Sequence, residues 1–350
     1  MSGISDVARL AGVSKSTASR ALSGSGYVSE KTRAKVQKVA ASLGYVPSTN
    51  AASLVTGRTR NVGVVIPYLH RWFFAEVLEG VQSALLERGL DLTLYDASPG
   101  TEARRRIFED FLARKRFDGL IAVGLEPEDH ELEQLLRIGR PVVSVVGSGP
   151  ATTVIGIDDD DAARRATQHL IALGHRQIAF VGGGSSRWAS VDRRRLTGYR
   201  SAMAEAGLTE LASHIPSEVT LPGGYAAAVD LLGASPTRPT AIVAVCDEVA
   251  IGAIIAARRL GIRVPSDLSV VGIDDHEYAE MFALTTLRQI PREQGRAAVA
   301  LLEAQLDDPA SGPTQVASTA RLIVRASTGP VDDRHSVMQS DPRPGIDHVM

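Results

Sequence analysis

Residues 6–22 read Asp6-Val7-Ala8-Arg9-Leu10-Ala11-Gly12-Val13-Ser14-Lys15-Ser16-Thr17-Ala18-Ser19-Arg20-Ala21-Leu22. Two short helical patterns flank Gly12-Val13. Val7, Ala8, Leu10 and Ala11 make the apolar stripe of the first, and Ala18, Ala21 and Leu22 that of the second. Gly12 lacks a Cβ, which suits a sharp turn between them. Ser5 and Ser14 offer side-chain oxygens as N-caps of the two helices. Outside on the second helix remain Lys15, Ser16, Thr17, Ser19 and Arg20, all hydrogen-bonding groups and none acidic. That face suits phosphates and base edges in a DNA major groove. A helical hairpin that merely packs is the plainer alternative. It does not account for capping, glycine, small interior residues and a basic face occurring together.

Composition bounds the rest. At 350 residues the chain is long enough for two or three domains. Its net charge of −2 conceals an asymmetry: residues 1–60 hold nine basic side chains against Asp6 and Glu30, a charge of +7 that leaves −9 for residues 61–350. A basic head neutralises phosphates while an acidic body stays off the polyanion. The single Cys246 excludes an intrachain disulfide and fits a reducing compartment. No apolar run reaches transmembrane length and no signal-peptide core opens the chain, so a cytoplasmic protein with no membrane partner is expected.

A third helix is predicted over 29–43, with Val36, Val39, Ala40 and Leu43 inward and Gly44 stopping it. Three small helices in about forty-five residues make a minimal core. The head is therefore set at 1–47. Residues 48–60 are polar, end in Gly57 and two arginines, and taken alone read as a tether.

These residues resemble the head of the lactose/galactose repressor (LacI/GalR) family. The likeness rests on Asp6-Val7-Ala8, Ala11-Gly12-Val13-Ser14, Thr17 to Leu22, Val28-Ser29, Thr32-Arg33 and Leu43-Gly44-Tyr45-Val46-Pro47, and it continues to about residue 328. The resemblance implies that Ala51 and Leu54 lie in a hinge helix that orders on operator DNA, with a leucine wedged into the minor groove. Ala52 stands where the family often carries arginine. Ser5, Ser29 and Tyr45 complete the candidate DNA contacts.

From Asn61 onward, apolar strands alternate with amphipathic helices, at 62–66, 92–95, 119–123, 142–146, 178–182, 241–245 and 269–272. The alternation predicts an α/β body of two doubly wound parallel-sheet lobes, about 61–157 and 158–289. A last helix near 292–305 and a strand near 320–325 return to it, closing the body at 330. In the resembled family, whose body is periplasmic-binding-protein-like, the chain crosses between lobes three times. A ligand then belongs in the cleft, at the carboxyl ends of strands. Residues 331–350 lose periodicity and read as a disordered tail.

The candidate effector contacts are Trp72, Phe73, Arg195, Asp247 and Asp274. Trp72 and Phe73 open a helix just after the first body strand, where aromatic faces suit a sugar or base; Phe74 is balanced between cleft and core. Arg195 belongs to a charge run that is ordinarily solvated, and the family's Arg-x-x-Gly-aromatic signature singles it out. Asp274 ends a buried strand, where a carboxylate accepts paired hydroxyls or caps a loop. Cys246-Asp247 stands where relatives show Asn-Asp, and Ala283 replaces a usual proline. Both departures count against a simple hexose bound in the usual way.

Other features carry less. Gly182-Gly183-Gly184 lacks the spacing and the Lys-Ser/Thr of a phosphate loop. Asp158–Asp161 lacks calcium-loop punctuation and reads better as a helix N-terminus. The scattered histidines suggest no metal, and no catalytic triad can be nominated, so neither enzyme nor cofactor is expected. The resulting expectation is a homodimeric, ligand-responsive transcriptional repressor that binds operator DNA and a sugar-like effector. The alternative is an intracellular solute-binding protein without DNA function.

Overall fold

A computed structural model describes residues 3–24, 26–45, 57–147, 152–184, 190–234 and 238–331. Helices α1 (Ile4–Ala11), α2 (Lys15–Ser23) and α3 (Glu30–Ser42) form the head. Their shared core is Val7, Ala8, Ala11, Ala18, Ala21, Val36 and Ala40, with Leu22, Val39, Leu43 and Tyr45 packed against it. Gly12 adopts φ 65°, the left-handed cap where a side chain is strained. Leu10 departs from the expected stripe and is 51% exposed. At about 100° per residue, Val7, Ala8 and Ala11 centre one face and Leu10 falls roughly a quarter-turn outside it.

The body contains two six-stranded sheets. The first is built from β1 (Asn61–Ile66), β2 (Asp91–Asp96), β3 (Gly119–Val123), β4 (Val142–Val145), β5 (Thr153–Gly156) and β11 (Gln315–Ala317), in the order β11-β5-β4-β3-β1-β2. The second is built from β6 (Ile178–Val181), β7 (Ser213–Ile215), β8 (Ala241–Ala244), β9 (Ser269–Asp274), β10 (Thr285–Arg288) and β12 (Arg321–Ile323), in the order β12-β10-β9-β8-β6-β7. Every pairing is parallel except β10 with β12. The chain passes between sheets after β5, after β10 and after β11, which are the three crossings that the resemblance implies.

Helices cover both sheets. In chain order they are α4 (Trp72–Glu87), α5 (Glu102–Arg106), α6 (Asp129–Arg137), α7 (Asp159–Ala172), α8 (Ser190–Glu205), α9 (Leu221–Ala234), α10 (Asp247–Arg259) and α11 (Pro291–Asp307). After α5 the helical backbone is irregular: it widens over Ile107–Phe111 and tightens over Leu112–Arg114. Asp158 caps α7 by accepting from the N–H groups of Asp160 and Asp161, so that acidic run is a helix start. The edge strands β7, β11 and β12 are three residues each. The first two went unread, being too short for alternation to register. Ala283 lies at φ 48°, a value the proline ring excludes, so the usual proline could not occupy this turn.

Among the described residues no helix is long and apolar enough to cross a membrane. Ala51, Leu54 and the 332–350 tail lie outside the described residues.

Candidate nucleic-acid interface and ligand cleft

The head exposes a connected polar face. Ser14 caps α2, its hydroxyl accepting from the Thr17 N–H at 3.1 Å and meeting the Thr17 and Ser16 hydroxyls at 2.8 and 2.9 Å. Thr17 is consequently half-buried and tied to the cap, whereas Lys15, Ser16, Ser19 and Arg20 stand exposed. Ser29 plays the same part for α3, accepting from the Thr32 N–H at 3.3 Å. Ser5 does not cap α1. The helix starts two residues earlier than that cap implies, at Ile4, and Asp6 reaches back to the Gly3 N–H at 3.0 Å, leaving Ser5 exposed inside the first turn. Tyr45 is packed partly into the head core. One aromatic went unread: Tyr27, in the loop after α2, is 93% exposed beside this basic face. An isolated aromatic in a loop carries no periodic signal.

Between the two sheets lies a cavity of about 680 Å³. Its lining follows from topology. Tyr68 to Phe74 follow β1 and Glu126 follows β3, whereas Asp192 and Arg195 follow β6, Glu248 follows β8 and Gln289 follows β10. In each sheet β1 or β6, one strand in from the edge, is where strand order reverses. Loops diverge there at the carboxyl ends and leave a crevice.

Four of the five expected contacts line the cavity. Trp72 and Phe73 line the cavity, as does Phe74, which also packs against the core of the first lobe. Trp72 reaches across to His276 of the other lobe, ring centroids 4.9 Å apart. Asp274 lines the cavity at φ 133°, a strained value for a side-chain-bearing residue and common at binding sites. Arg195 also lines it, yet its guanidinium is largely engaged. Nε meets Asp159 Oδ1 at 2.9 Å, Nη1 donates to the Val245 carbonyl at 2.6 Å, and Nη2 lies 3.7 Å from Asp274 Oδ1. Arg193 and Arg194 are exposed, as charge runs usually are, whereas Arg195, the one that the Arg-x-x-Gly-aromatic signature singles out, is buried.

The fifth contact, Asp247, is a correction. It is fully buried and absent from the cavity lining, with Oδ1 accepting from the Thr286 hydroxyl at 2.7 Å and Oδ2 from the His276 N–H at 2.9 Å. It braces β10 and the loop after β9. Cys246 reaches the cavity as a small buried group, and burial pushes its thiol well above the ordinary range.

The unread contacts are Glu126, Asp192, Glu248 and Gln289. Each sits one to eleven positions beyond a strand end, which only the sheet order makes meaningful. Gln289 donates to Asp274 Oδ1 at 2.6 Å, and Glu126 accepts from the Ser190 N–H across the lobes at 2.6 Å. Glu248 takes a backbone hydrogen bond from Trp72, also across the cleft. Arg71 lies over the Tyr68 ring at 3.9 Å, with a buried Nε that has no acceptor among the described residues.

Electrostatics follow from this crowding. Burial raises the carboxyls of Asp192 and Glu248, opposed by Arg195 and Arg71 respectively. Burial likewise raises Asp274 against the pull of Arg195, and raises Asp247 with help from the Asp274 charge. Burial works against the Arg195 charge, but Asp159 and Asp274 outweigh it and hold the guanidinium protonated. The described lining thus holds five carboxyl groups against two guanidiniums, one of them already paired. Among the described residues no group of three His, Cys, Asp or Glu side chains could hold a metal ion.

Comparison with known proteins agrees with this geometry. Residues 3–48 match the family described as bacterial regulatory proteins, lacI family, and residues 167–328 match a periplasmic binding protein-like domain. The chain is 34% identical to the HTH-type transcriptional repressor PurR of Vibrio campbellii, over 88% of this chain and 93% of that protein. It is 33% identical to the HTH-type transcriptional regulator DegA of Bacillus subtilis, over 94% of this chain and 98% of that one. A lac repressor dimer bound to operator and the anti-inducer ONPF superposes with a TM-score of 0.83 at 28% identity, covering 94% of this chain and 99% of that chain. A transcriptional regulator CelR–cellobiose complex superposes with a TM-score of 0.68 at 31% identity, covering 93% and 100%.

Proposed function

The chain belongs to the lacI family of bacterial regulatory proteins, and we propose that its exposed α2 face reads operator DNA under control of a small molecule held between its lobes. It is a DNA-binding transcriptional regulator with an effector-binding body, and its relatives include the repressor PurR and the regulator DegA. A transporter-associated solute-binding role is not favoured, since the similarity to repressors runs through the head as well as the body. Within this reading the protein is a cytoplasmic homodimer and not an enzyme. Lys15, Ser16, Ser19 and Arg20 contact the major groove, Thr17 shapes the cap beneath them, and Ala51 and Leu54 belong to a hinge that bends the operator.

The observation that carries the ligand half is the composition of the cavity wall. Trp72, Phe73 and Phe74 supply flat apolar faces, and Asp274, Asp192, Glu126 and Glu248 supply acceptors beside the Arg71 Nε, which has no acceptor among the described residues. Hydroxyl groups satisfy both kinds of partner, since each donates and accepts. An anion meets an excess of carboxyl groups. The effector is therefore a hydroxylated, ring-shaped molecule without a phosphate or carboxylate. A panel of sugars, their 6-phosphates and their uronic acids, screened by thermal stabilisation of the full chain, tests this. Selective stabilisation by uncharged sugars is expected; stabilisation by the anionic forms alone overturns it. For the DNA half, salt-sensitive binding to duplex DNA should disappear when residues 1–60 are removed.

A further inference from the structure

The last three residues before β1 are fastened to the body at three points. Asp118, 6% exposed at the entry to β3, accepts from the Thr59 N–H at 2.7 Å, the Thr59 hydroxyl at 3.0 Å and the Arg60 N–H at 2.8 Å. The Arg60 guanidinium donates to the Gly89 carbonyl at 2.9 Å and the Arg88 carbonyl at 3.4 Å, just beyond the carboxyl end of α4. Arg58 donates to the Leu306 carbonyl at 3.4 Å and lies 3.7 Å from Asp307, at the carboxyl end of α11. Cations at helix carboxyl ends also meet the negative end of the helix dipole. Arg60 itself holds φ 56°, a conformation disfavoured for a side-chain-bearing residue and sustained here by the Asp118 bonds.

The other ends of the same two helices face the ligand cavity. Trp72 and Phe73 open α4, and Gln289, which binds Asp274, lies two residues before α11. At 16 and 17 residues, each helix spans about 25 Å. They lie backbone against backbone: a Cβ on Gly80 would fall 2.1 Å from the Arg292 carbonyl, and one on Gly295 would fall 2.3 Å from that of Val77. Ion pairs Arg292–Glu79, Arg296–Glu87 and Arg88–Glu303 tie them along their length.

We propose that Asp118 and Arg60, seconded by Arg58, are positioning residues for specific DNA binding. They hold the linker in one exit path on the ends of a stiff helix pair that begins in the cavity. A loose linker leaves the head able to find phosphates, but no longer presents it in the one geometry that a specific site requires. The inference rests on the head being the DNA reader, and the test separates the two.

Full-length Asp118→Asn, Arg60→Ala and Arg20→Ala are compared with wild type on a duplex selected by the wild-type chain from a random library, and on poly(dI-dC). Asn at 118 sets a side-chain N–H₂ or a single oxygen against two backbone donors. Arg60→Ala removes an exposed side chain without disturbing the core, which keeps the test valid if Asp118→Asn folds poorly. Both fastening variants should lose about tenfold on the selected duplex, the effect of one charge-assisted hydrogen bond. Their binding to poly(dI-dC) and the thermal midpoint of Arg60→Ala should not move. If Arg20→Ala loses affinity while the fastening variants retain it, the inference fails and the DNA reading stands. If Arg20→Ala also binds as wild type, the DNA reading fails with it. Parallel losses on both DNAs, with a lowered midpoint, mean a structural role only and overturn the proposal.

Discussion

Replacing Arg195 with alanine tests whether this residue is a ligand contact or a keystone of the second lobe. Its side chain is buried between Asp159 and Asp274, which are 3% and 8% exposed, and its Nη1 is a donor to the Val245 carbonyl. Truncation leaves two buried carboxyl groups without a cation and one carbonyl without its partner. Removing one member of a buried ion pair typically costs about 3–5 kcal/mol. At about 2–4 °C per kcal/mol for a body of this size, the unfolding midpoint should fall by about 6–20 °C. Asp274 can neutralise by taking a proton, which places the result toward the lower end near neutral pH. Calorimetric unfolding of the full chain reads the effect directly. Duplex DNA binding well below the new midpoint should persist, because the head has its own core of Val7, Ala11, Ala18 and Val36. Arg195→Lys, which keeps the charge without the planar fork, should fall between the two. An Arg195→Ala protein with an unshifted midpoint would show that the three contacts carry no weight and would refute the reasoning.

Three further outcomes are expected. Arg20→Ala should lose about 1–3 kcal/mol on a selected duplex, with circular dichroism unchanged; retained affinity would remove α2 from the role of recognition helix. Leu54→Ala should weaken specific binding more than non-specific binding and reduce the bend measured by gel mobility. Equal losses with bending intact would make 48–56 a passive tether. Asp247 has a raised folded-state carboxyl, so the folded chain holds a proton that the unfolded chain releases above about pH 4. Its contribution is therefore fully present at low pH and is lost as pH rises through the folded value. Asp247→Asn should accordingly flatten the decline of thermal midpoint from pH 5 to 8, and an unaltered slope would refute the assignment.

The sequence by itself determined what local physics controls. Capping oxygens, Gly12 and the small-residue spacing define the helical head, because a helix-turn-helix core is made by neighbours in the chain. The strand–helix alternation likewise defines the parallel sheets, since a strand buried on both faces must be continuously apolar. Even there a two-residue shift mattered: the cap of α1 moved from Ser5 to Gly3 because Asp6 could reach back to the Gly3 N–H. Tertiary structure decided the rest of the site. Composition does not separate Arg193, Arg194 and Arg195; the family signature marks the third, and the packing of α8 on α7 brings it to Asp159. Asp247 and Glu248 are adjacent acids, yet the helix start turns the first into the lobe and the second into the cleft. Asp118 looks like an ordinary strand-edge carboxylate until sheet order sets it under residues separated from it by 58 and 59 positions. Contacts of that range are fixed by where strands lie in a sheet, and no periodicity within a window of residues encodes them.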